Sequence, residues 1–411
     1  MRTGLYFLLA ALGLLGLAAY VLSPAVPTRA DPVPVAIPTP EMAVTPAATA
    51  PAPPPPPPSP PPCVPGSLEE RAAQTLVVGL PGIVAGNEPL VQELAELGVG
   101  GVLVKRANVK DAEQVRGLIG SLRAGTRLPL LVTTDEEPGR VSTFRDILGR
   151  TSSARTLGAT ETPDAIQALA RQVGQGLSSL DVDVDLGTVA DLDAGDANGI
   201  IGDRSYSSDP TVATAAAAAF SQGLLESGIL PTVKHFPGHG RSAVDSHVRF
   251  SAVDASLEEL QVTDLAPFAE QIDAGVPIVM LAHVGYSALD PSLPASLDPR
   301  AYQLLREMGF QGVAMTDSLG MGAVNLTYPY PVAAVNAIAA GADALLATDG
   351  TQARAMRDAL VAAVADGRLP EARLDEAAAR MLVLKGVDPA VLTCTTPAAP
   401  AMVAATYALV D

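Results

Sequence analysis

Lys234-His235-Phe236-Pro237-Gly238-His239-Gly240, with Asp245-Ser246-His247 just after it, is the stretch from which the fold and the chemistry of this chain are read. It follows an apolar run, 228–233, that is typical of a buried strand. Lysine, histidine and aspartate at the end of such a strand are costly to desolvate, so packing alone does not explain them. Glycine and proline favour irregular backbone, which suits a loop over a functional site. The alternative is a solvated loop with incidental polar residues.

On both sides of this stretch, short apolar runs alternate with helical runs eight times. The predicted strands are 75–80, 100–104, 128–134, 181–186, 228–233, 277–282, 311–315 and 342–346. The predicted helices are 88–97, 111–123, 163–180, 211–227, 256–274, 298–308, 331–340, 352–366 and 370–384. Apolar strands separated by helices are typical of a parallel sheet covered on both faces. Eight units predict a single (β/α)8 TIM barrel. An open doubly wound sheet is the alternative, but its phosphate-binding glycine fingerprint is missing after the first strand.

Charged side chains fall at or just past the ends of the predicted strands. They are Asp135, Asp185, Lys234, His235, His283 and Asp317. In a (β/α)8 barrel the carboxyl ends of the strands form the face on which active sites are built. We therefore expect these residues to converge on one site.

The residue types favour glycosyl transfer to water over three other chemistries. Lys234 is a poor neighbour for a metal ion, and no His-x-x-x-His pair lies on a helix. The Gly-x-Ser-x-Gly turn of serine hydrolases and the glycine loop of phosphate sites are both missing. Glycoside hydrolysis needs a carboxylate near the anomeric carbon and a separate proton donor.

Asp317, at the end of a predicted strand, supplies the carboxylate. His247 suits the proton donor, because an imidazole serves as acid and then base near neutral pH. Asp245 lies two residues earlier and is placed to fix the tautomer of that imidazole. The alternatives are that Asp317 only caps the next helix, and that Asp245 and His247 only make local turn bonds.

The N-terminal part of the chain differs in composition from the rest. Arg2 precedes an uncharged apolar run, 5–22, so we expect residues 1–30 to be a signal peptide or a membrane anchor, and the remainder to be exported. Residues 31–62 are rich in proline and alanine and predict a linker without a packed core. The catalytic domain is then 63–411.

Cys63 and Cys394 stand near its two ends and predict a disulfide in an exported chain. The net charge of −18 argues against a nucleic-acid partner.

The Lys234–Gly240 stretch with its downstream Asp-x-His resembles the hallmark of family 3 glycoside hydrolases of the NagZ type, which are β-N-acetylglucosaminidases. Further matches are Ile201-Gly202-Asp203-Arg204-Ser205, the segment 135–140 and Thr316-Asp317-Ser318-Leu319-Gly320-Met321. They occur in family order across about residues 76–385. The resemblance thus covers essentially the whole predicted domain.

The resemblance implies a retaining, two-step exo-β-N-acetylglucosaminidase that acts on cell-wall muropeptide or chitin-type sugars without a metal or organic cofactor. It implies that Asp317 is the nucleophile and that His247, assisted by Asp245, is the acid/base. Asp135, Arg204, Lys234 and His235 would bind the carbohydrate substrate. Membrane or cell-wall association would come from the N-terminal segment. A phosphorylase and a non-catalytic sugar-binding protein on the same barrel are the alternatives.

Two positions depart from the family pattern. Pro138 replaces the first glycine of Asp-x-Glu-Gly-Gly-Arg, which stiffens that turn. Thr143 stands where the family tends to place a second sugar-binding arginine, and Arg145 is the nearby substitute. Both changes put the sugar preference in question.

Overall fold

The computed structural model describes residues 65–193 and 199–397. The strands are β1 (Leu76–Gly79), β2 (Gly101–Val104), β3 (Leu131–Thr134), β4 (Val184–Val189), β5 (Leu230–Phe236), β6 (Ala252–Val253), β7 (Ile278–Leu281), β8 (Gly285–Tyr286), β9 (Val313–Thr316) and β10 (Leu345–Ala347). The helices are α1 (Leu68–Gln74), α2 (Pro89–Leu97), α3 (Ala112–Ala124), α4 (Arg145–Leu148), α5 (Ala154–Thr160), α6 (Pro163–Ser178), α7 (Pro210–Leu225), α8 (Leu257–Val262), α9 (Ala266–Asp273), α10 (Pro299–Glu307), α11 (Gly322–Asn325), α12 (Tyr330–Ala340), α13 (Ala353–Ala365) and α14 (Glu371–Leu384).

The main sheet is parallel and has the strand order β10-β1-β2-β3-β4-β5-β7-β9. A parallel bridge between Met315 and Ala344 joins its two edges, and the Thr316 backbone N–H donates to the Ala344 carbonyl at 3.0 Å. The sheet therefore closes on itself, and helices lie between successive strands. The predicted (β/α)8 barrel is confirmed, and β6 and β8 form a separate two-stranded ribbon.

Alternating strand residues divide the apolar core into two layers. One set fills the barrel interior and includes Val77, Leu103, Leu131 and Met280. Their neighbours along the strands, such as Val78, Val102 and Val132, belong to the larger cluster between the sheet and the helices. A parallel strand buried on both faces needs apolar residues at nearly every position, which is why these runs were readable as strands.

Strand β5 is longer than the sequence predicts. The expected run ends at Val233, whereas the observed strand continues through Lys234 and His235 to Phe236. Its pairing with β7 shifts register between Lys234 and Phe236. A bulge of this kind re-aims side chains. Consecutive residues, Lys234 and His235, consequently line the same cavity.

The predicted helix 256–274 is wrong as a single element, because it is divided into α8 and α9. The break lies at Thr263 and Asp264, and Pro267 occupies the first turn of α9. Proline lacks a backbone N–H and clashes with the preceding turn inside a helix, but it is tolerated at a helix start.

The ends of the described region lie side by side. The Gly66 backbone N–H donates to the Leu392 carbonyl at 2.8 Å. Cys63, the proposed leader 1–30 and the linker 31–62 lie outside the described residues. Within residues 65–193 and 199–397, no helix is long and apolar enough to cross a bilayer.

Candidate active site

Asp317 directly follows β9, and its backbone N–H donates to the Leu281 carbonyl of β7 at 3.0 Å. The Ser318 backbone N–H donates to its Oδ1 at 2.6 Å. Burial by itself raises the pKa of this carboxyl, but nearby His283 and His235 and the Ser318 N–H together lower it to about 2. The site therefore holds an ionised carboxylate at the carboxyl end of a barrel strand.

Lys234 is the centre of a buried ion cluster. Its Nζ lies 2.9 Å from Asp135 Oδ1 and 2.7 Å from Glu137 Oε1. Arg204 donates two hydrogen bonds of 2.7 Å to the carboxylate of Glu137. Burial favours the neutral forms, but the two cations lower the pKa of Glu137 to about 2 and the carboxylates raise the pKa of Lys234. The charged side chains of Lys234, Arg204, Asp135 and Glu137 therefore hold one another in fixed positions in the cavity wall.

His235 is held by a carboxylate that the sequence reading missed. Its Nδ1 lies 2.6 Å from Asp191 Oδ2, and the backbone N–H groups of His235 and His239 donate to Asp191 Oδ1 at 3.1 and 2.7 Å. Burial raises the pKa of Asp191, yet His235 and His239 lower it overall. An ionised Asp191 only accepts hydrogen bonds, so Nδ1 of His235 carries a proton and Nε2 is left for the cavity.

The loop that carries Asp245 and His247 is folded against the segment after Asp317. His247 Nδ1 lies 2.9 Å from Asp245 Oδ1, which also accepts from the His247 backbone N–H at 2.8 Å. The Gly322 and Ala323 backbone N–H groups, at the start of α11, donate to the carbonyls of His247 and Ser246, each at 3.0 Å. The contact between Asp245 and His247 that we expected is present; its catalytic use is a separate proposal.

His239 supports the same loop from below. Its Nε2 lies 2.9 Å from Ser246 Oγ. Burial, together with nearby His235, lowers the pKa of His239 to about 4, so this ring is neutral near pH 7. A neutral, buried ring serves here as a hydrogen-bonding support.

The cavity at this end of the barrel has a volume of about 440 Å³. Its wall includes Asp135, Glu137, Arg140, Arg204, Lys234, His235, His247, Asp317 and Lys105. An adjoining space of about 90 Å³ shares Arg140, Arg204, His235, His247 and Asp317 and reaches Asp245. A larger cavity, of about 540 Å³, lies among residues at the opposite ends of the strands, but no imidazole lines it. The first cavity is lined by the carboxylates, imidazoles and cations described above, so we take it as the candidate active site.

Two of the six strand-end residues do not line this cavity. Asp185 is fully buried and its Oδ1 accepts from the Glu136 backbone N–H at 2.9 Å. His283 is also fully buried; its Nε2 donates to the Ser318 carbonyl at 2.9 Å, and Ser296 Oγ lies 2.6 Å from its Nδ1. Both side chains hold the backbone of neighbouring loops, and our expectation that they point into the site is wrong.

The altered 135–145 loop is held by hydrogen bonds within itself. Its left-handed position is Gly139, with φ of 96°, so the turn places no such demand on Pro138. Thr143 Oγ1 donates to the Asp135 carbonyl at 3.0 Å. Arg145 donates to the carbonyls of Ser142, at 3.1 Å, and Arg140. Neither residue lines the cavity, so Arg145 does not take the place of the family's arginine.

The described residues contain no group of three or more His, Cys, Asp or Glu side chains arranged to hold a metal ion. In the cavity wall, the carboxylates of Asp135 and Glu137 are already bonded to Lys234. A positively charged amine at this distance disfavours a second cation.

Comparison with known proteins identifies a family. The model described as the glycosyl hydrolase family 3 N-terminal domain matches residues 67–384. Beta-hexosaminidase LpqI of Mycobacterium tuberculosis is 35% identical over 367 residues, which cover 87% of this chain and 89% of the relative. A beta-hexosaminidase of Stenotrophomonas maltophilia is 34% identical over 330 residues, covering 74% of this chain and 98% of the relative.

Solved structures agree with these sequence relatives. The structure of M. tuberculosis LpqI has a TM-score of 0.73 at 35% identity, covering 79% of this chain and 95% of that one. A family 3 β-N-acetylglucosaminidase from Paenibacillus sp. has a TM-score of 0.74 at 32% identity, covering 79% of this chain and 63% of that one.

Proposed function

Because this chain belongs to glycosyl hydrolase family 3 and is a glycoside hydrolase, we propose that it is a retaining exo-β-N-acetylglucosaminidase. The observation that carries the proposal is that an ionised, half-buried carboxylate, Asp317, lines the same cavity as His247, whose ring is hydrogen-bonded to Asp245. The relatives named beta-hexosaminidase and β-N-acetylglucosaminidase support the choice of sugar.

In the first step, Asp317 attacks the anomeric carbon and forms a glycosyl ester while the bond to the leaving group breaks. His247 gives its Nε2 proton to the leaving oxygen, and ionised Asp245 stabilises the Nδ1–H side of the ring. In the second step, His247 takes a proton from water, whose oxygen attacks the same carbon and releases Asp317. Two inversions give retention of the β configuration.

Asp135, Arg204, Lys234 and His235 are proposed to bind the sugar hydroxyls and the N-acetyl group. Their positions are constrained by the ion cluster around Glu137 and by Asp191, so little side-chain freedom is lost when the sugar binds. Glu137 and Asp191 are positioning residues in this scheme.

We also propose that the natural substrates are cell-wall muropeptide or chitin-type sugars outside the cytoplasm. The apolar run 5–22 and the proline-rich stretch up to residue 62 support export with the domain 63–411 held at the membrane or cell wall, or secreted. Sequencing the N-terminus of the protein recovered from the producing cells tests whether the leader is removed.

The first experiment is hydrolysis of p-nitrophenyl β-N-acetylglucosaminide beside the corresponding β-glucoside. We expect a clear preference for the N-acetyl sugar, and NMR of the first product should show the β anomer. An α anomer would contradict the retaining mechanism.

Adding inorganic phosphate tests the phosphorylase alternative, which predicts a sugar 1-phosphate. Binding of N-acetylglucosamine without turnover would instead support a sugar-binding protein.

A further inference from the structure

Lys105 lies at the lip of the catalytic cavity, and its ammonium group pairs with no carboxylate of residues 65–193 and 199–397. It follows the end of β2, it is exposed, and its side chain lines the cavity. Among the residues that the structure describes, none of the carboxylates lies within ion-pair distance of it. This makes Lys105 different from the other cations of the same wall.

Each of those other cations is neutralised by the protein. Lys234 contacts Asp135 and Glu137, and Arg204 contacts Glu137. Arg140 donates from Nε to Asp203 at 2.6 Å. Lys105 is therefore the cation of this wall without a carboxylate of the described protein within ion-pair distance. The carboxylate of Asp317 faces the same cavity, but in the proposed mechanism it attacks the anomeric carbon, so the partner expected for Lys105 is a carboxylate of the ligand.

The backbone that carries Lys105 is fixed in place. The buried side chain of Asn108 accepts from the Lys105 backbone N–H at 2.9 Å and donates to the carbonyls of Leu80, at 2.5 Å, and Ile83, at 2.8 Å. The turn after β2 is therefore clamped to the loop after β1. A clamped turn directs the lysine stem toward the cavity at little entropic cost.

The charge of the whole chain makes this lysine more conspicuous. The net charge is −18, and the chain has four lysines: Lys105, Lys110, Lys234 and Lys385. An acidic protein repels anionic ligands at long range. An ammonium group without a carboxylate partner among the described residues provides local attraction for an anion at the cavity opening.

We propose that Lys105 selects substrates whose leaving group carries a carboxylate next to the scissile bond, such as an amino sugar with a lactic acid ether. This inference rests on the proposed glycosidase function and goes beyond it by naming a residue for the leaving group. Lys105 forms an ion pair with that carboxylate, while the N-acetylglucosamine unit occupies the site around Lys234. The preference is one of binding and positioning, and no proton is transferred.

The test compares two disaccharides that share the same transferred sugar. N-acetylglucosamine β-1,4-linked to N-acetylmuramic acid carries the carboxylate, and chitobiose does not. We expect Lys105→Met to lower kcat/KM on the acidic disaccharide by about three- to fivefold, the upper part of the range for an exposed ion pair, with chitobiose unchanged. Lys105→Glu should lower it further, and added NaCl should reduce the wild-type preference.

Lys110→Met is the matched control, because Lys110 is exposed, lies five positions away in sequence and does not line the cavity. We expect it to change neither substrate's kinetics. Equal losses on both disaccharides with Lys105→Met would overturn the inference and place Lys105 on the N-acetylglucosamine itself. No loss on either disaccharide would also overturn it. Activity on p-nitrophenyl β-N-acetylglucosaminide separates these outcomes from failure of the glycosidase proposal.

Discussion

At the scale of single residues, the proposed nucleophile is Asp317, a half-buried carboxylate held ionised by its surroundings. We predict that Asp317→Asn lowers turnover by at least about a thousandfold, since a neutral amide forms no glycosyl ester. The loss should be seen with p-nitrophenyl β-N-acetylglucosaminide, while circular dichroism and the melting temperature show a folded protein.

A second variant separates the nucleophile from a merely structural role. Asp317→Gly leaves space for azide, which should attack from the vacated face and give an α-glycosyl azide. Restored turnover without that product would mean that Asp317 does not attack the anomeric carbon.

In the proposed mechanism, the contribution of His247 depends on the leaving group. A poor leaving group needs a proton, whereas p-nitrophenolate leaves without one. We therefore predict that His247→Gln lowers kcat/KM for chitobiose by about a hundredfold or more but changes the p-nitrophenyl substrate much less. Equal losses on the two substrates would show that His247 is not the general acid.

The sequence reading found those residues that follow predicted strands, because barrel geometry brings such positions together. It missed Glu137 and Asp191, although Glu137 lies inside a quoted segment. Glu137 bonds Arg204 across 67 positions and Asp191 bonds His235 across 44. Contacts between distant segments leave no local pattern in one sequence, so the charge array became visible only in the structure.

At the scale of elements, we propose that the hydrogen-bonded junction between α11 and the His247 loop positions His247 relative to Asp317. A Cβ placed on Gly322 would lie 2.3 Å from the Val248 carbonyl oxygen and 2.8 Å from that of His247. We predict that Gly322→Ala displaces the loop and lowers kcat by about tenfold or more, because catalytic geometry tolerates little displacement. Steady-state kinetics measures the effect.

Gly120→Ala is the control for this change. Gly120 lies within α3, and nothing lies within 4 Å of a Cβ placed there. Alanine should leave the kinetics unchanged and stabilise the helix by about 0.5–1 kcal/mol. If Gly322→Ala were as neutral as this control, the close contacts at α11 would have no part in placing His247.

Strand and helix order was predictable because apolar runs and helical periodicity are local properties. The exceptions have local causes of another kind. Strand β5 continues past its apolar run, since Lys234 pairs with Val189 and Met280, and Phe236 pairs with Leu281 beyond the register shift. The break between α8 and α9 also has a local signal, because Pro267 is disfavoured inside a continuous helix and lies in the first turn of α9.

At the scale of the whole molecule, Lys385 links stability to pH. It follows α14, it is buried, and its Nζ donates to Gln74 Oε1 at 2.6 Å. Burial lowers its pKa to about 7, with Asp183 opposing the shift. Between pH 7 and the ordinary lysine range, the unfolded chain binds a proton that the folded protein does not, so folding becomes more favourable as pH rises.

We predict that the free energy of unfolding of the wild type rises relative to Lys385→Met between pH 7 and 10, by on the order of a few kcal/mol. Urea unfolding at several pH values measures this difference. Lys110→Met, at an exposed site, should show a difference that does not change with pH. The same flat result for Lys385→Met would mean that the buried amine keeps its proton in the folded state.

The two ends of the barrel domain are proposed to be joined by Cys63 and Cys394. The hydrogen bond from Gly66 to Leu392 brings the neighbouring backbone together. We predict that thiol titration of the denatured, unreduced protein detects no free cysteine, and that replacing either cysteine by serine lowers stability by about 2–5 kcal/mol. The double variant should lose no more than either single one; additive losses would argue against a shared bond.

The scarcity of lysine has a practical consequence for handling this enzyme. Of its four lysines, Lys234 and Lys385 are buried, and the exposed pair, Lys105 and Lys110, lies on the segment just after β2, where Lys105 lines the cavity. Coupling to an amine-reactive resin would, apart from the N-terminal amine, attach the protein next to its own entrance and obstruct substrate access. Attachment through surface carboxylates, which are abundant on this chain, would spread the points of attachment and leave more of the molecules open.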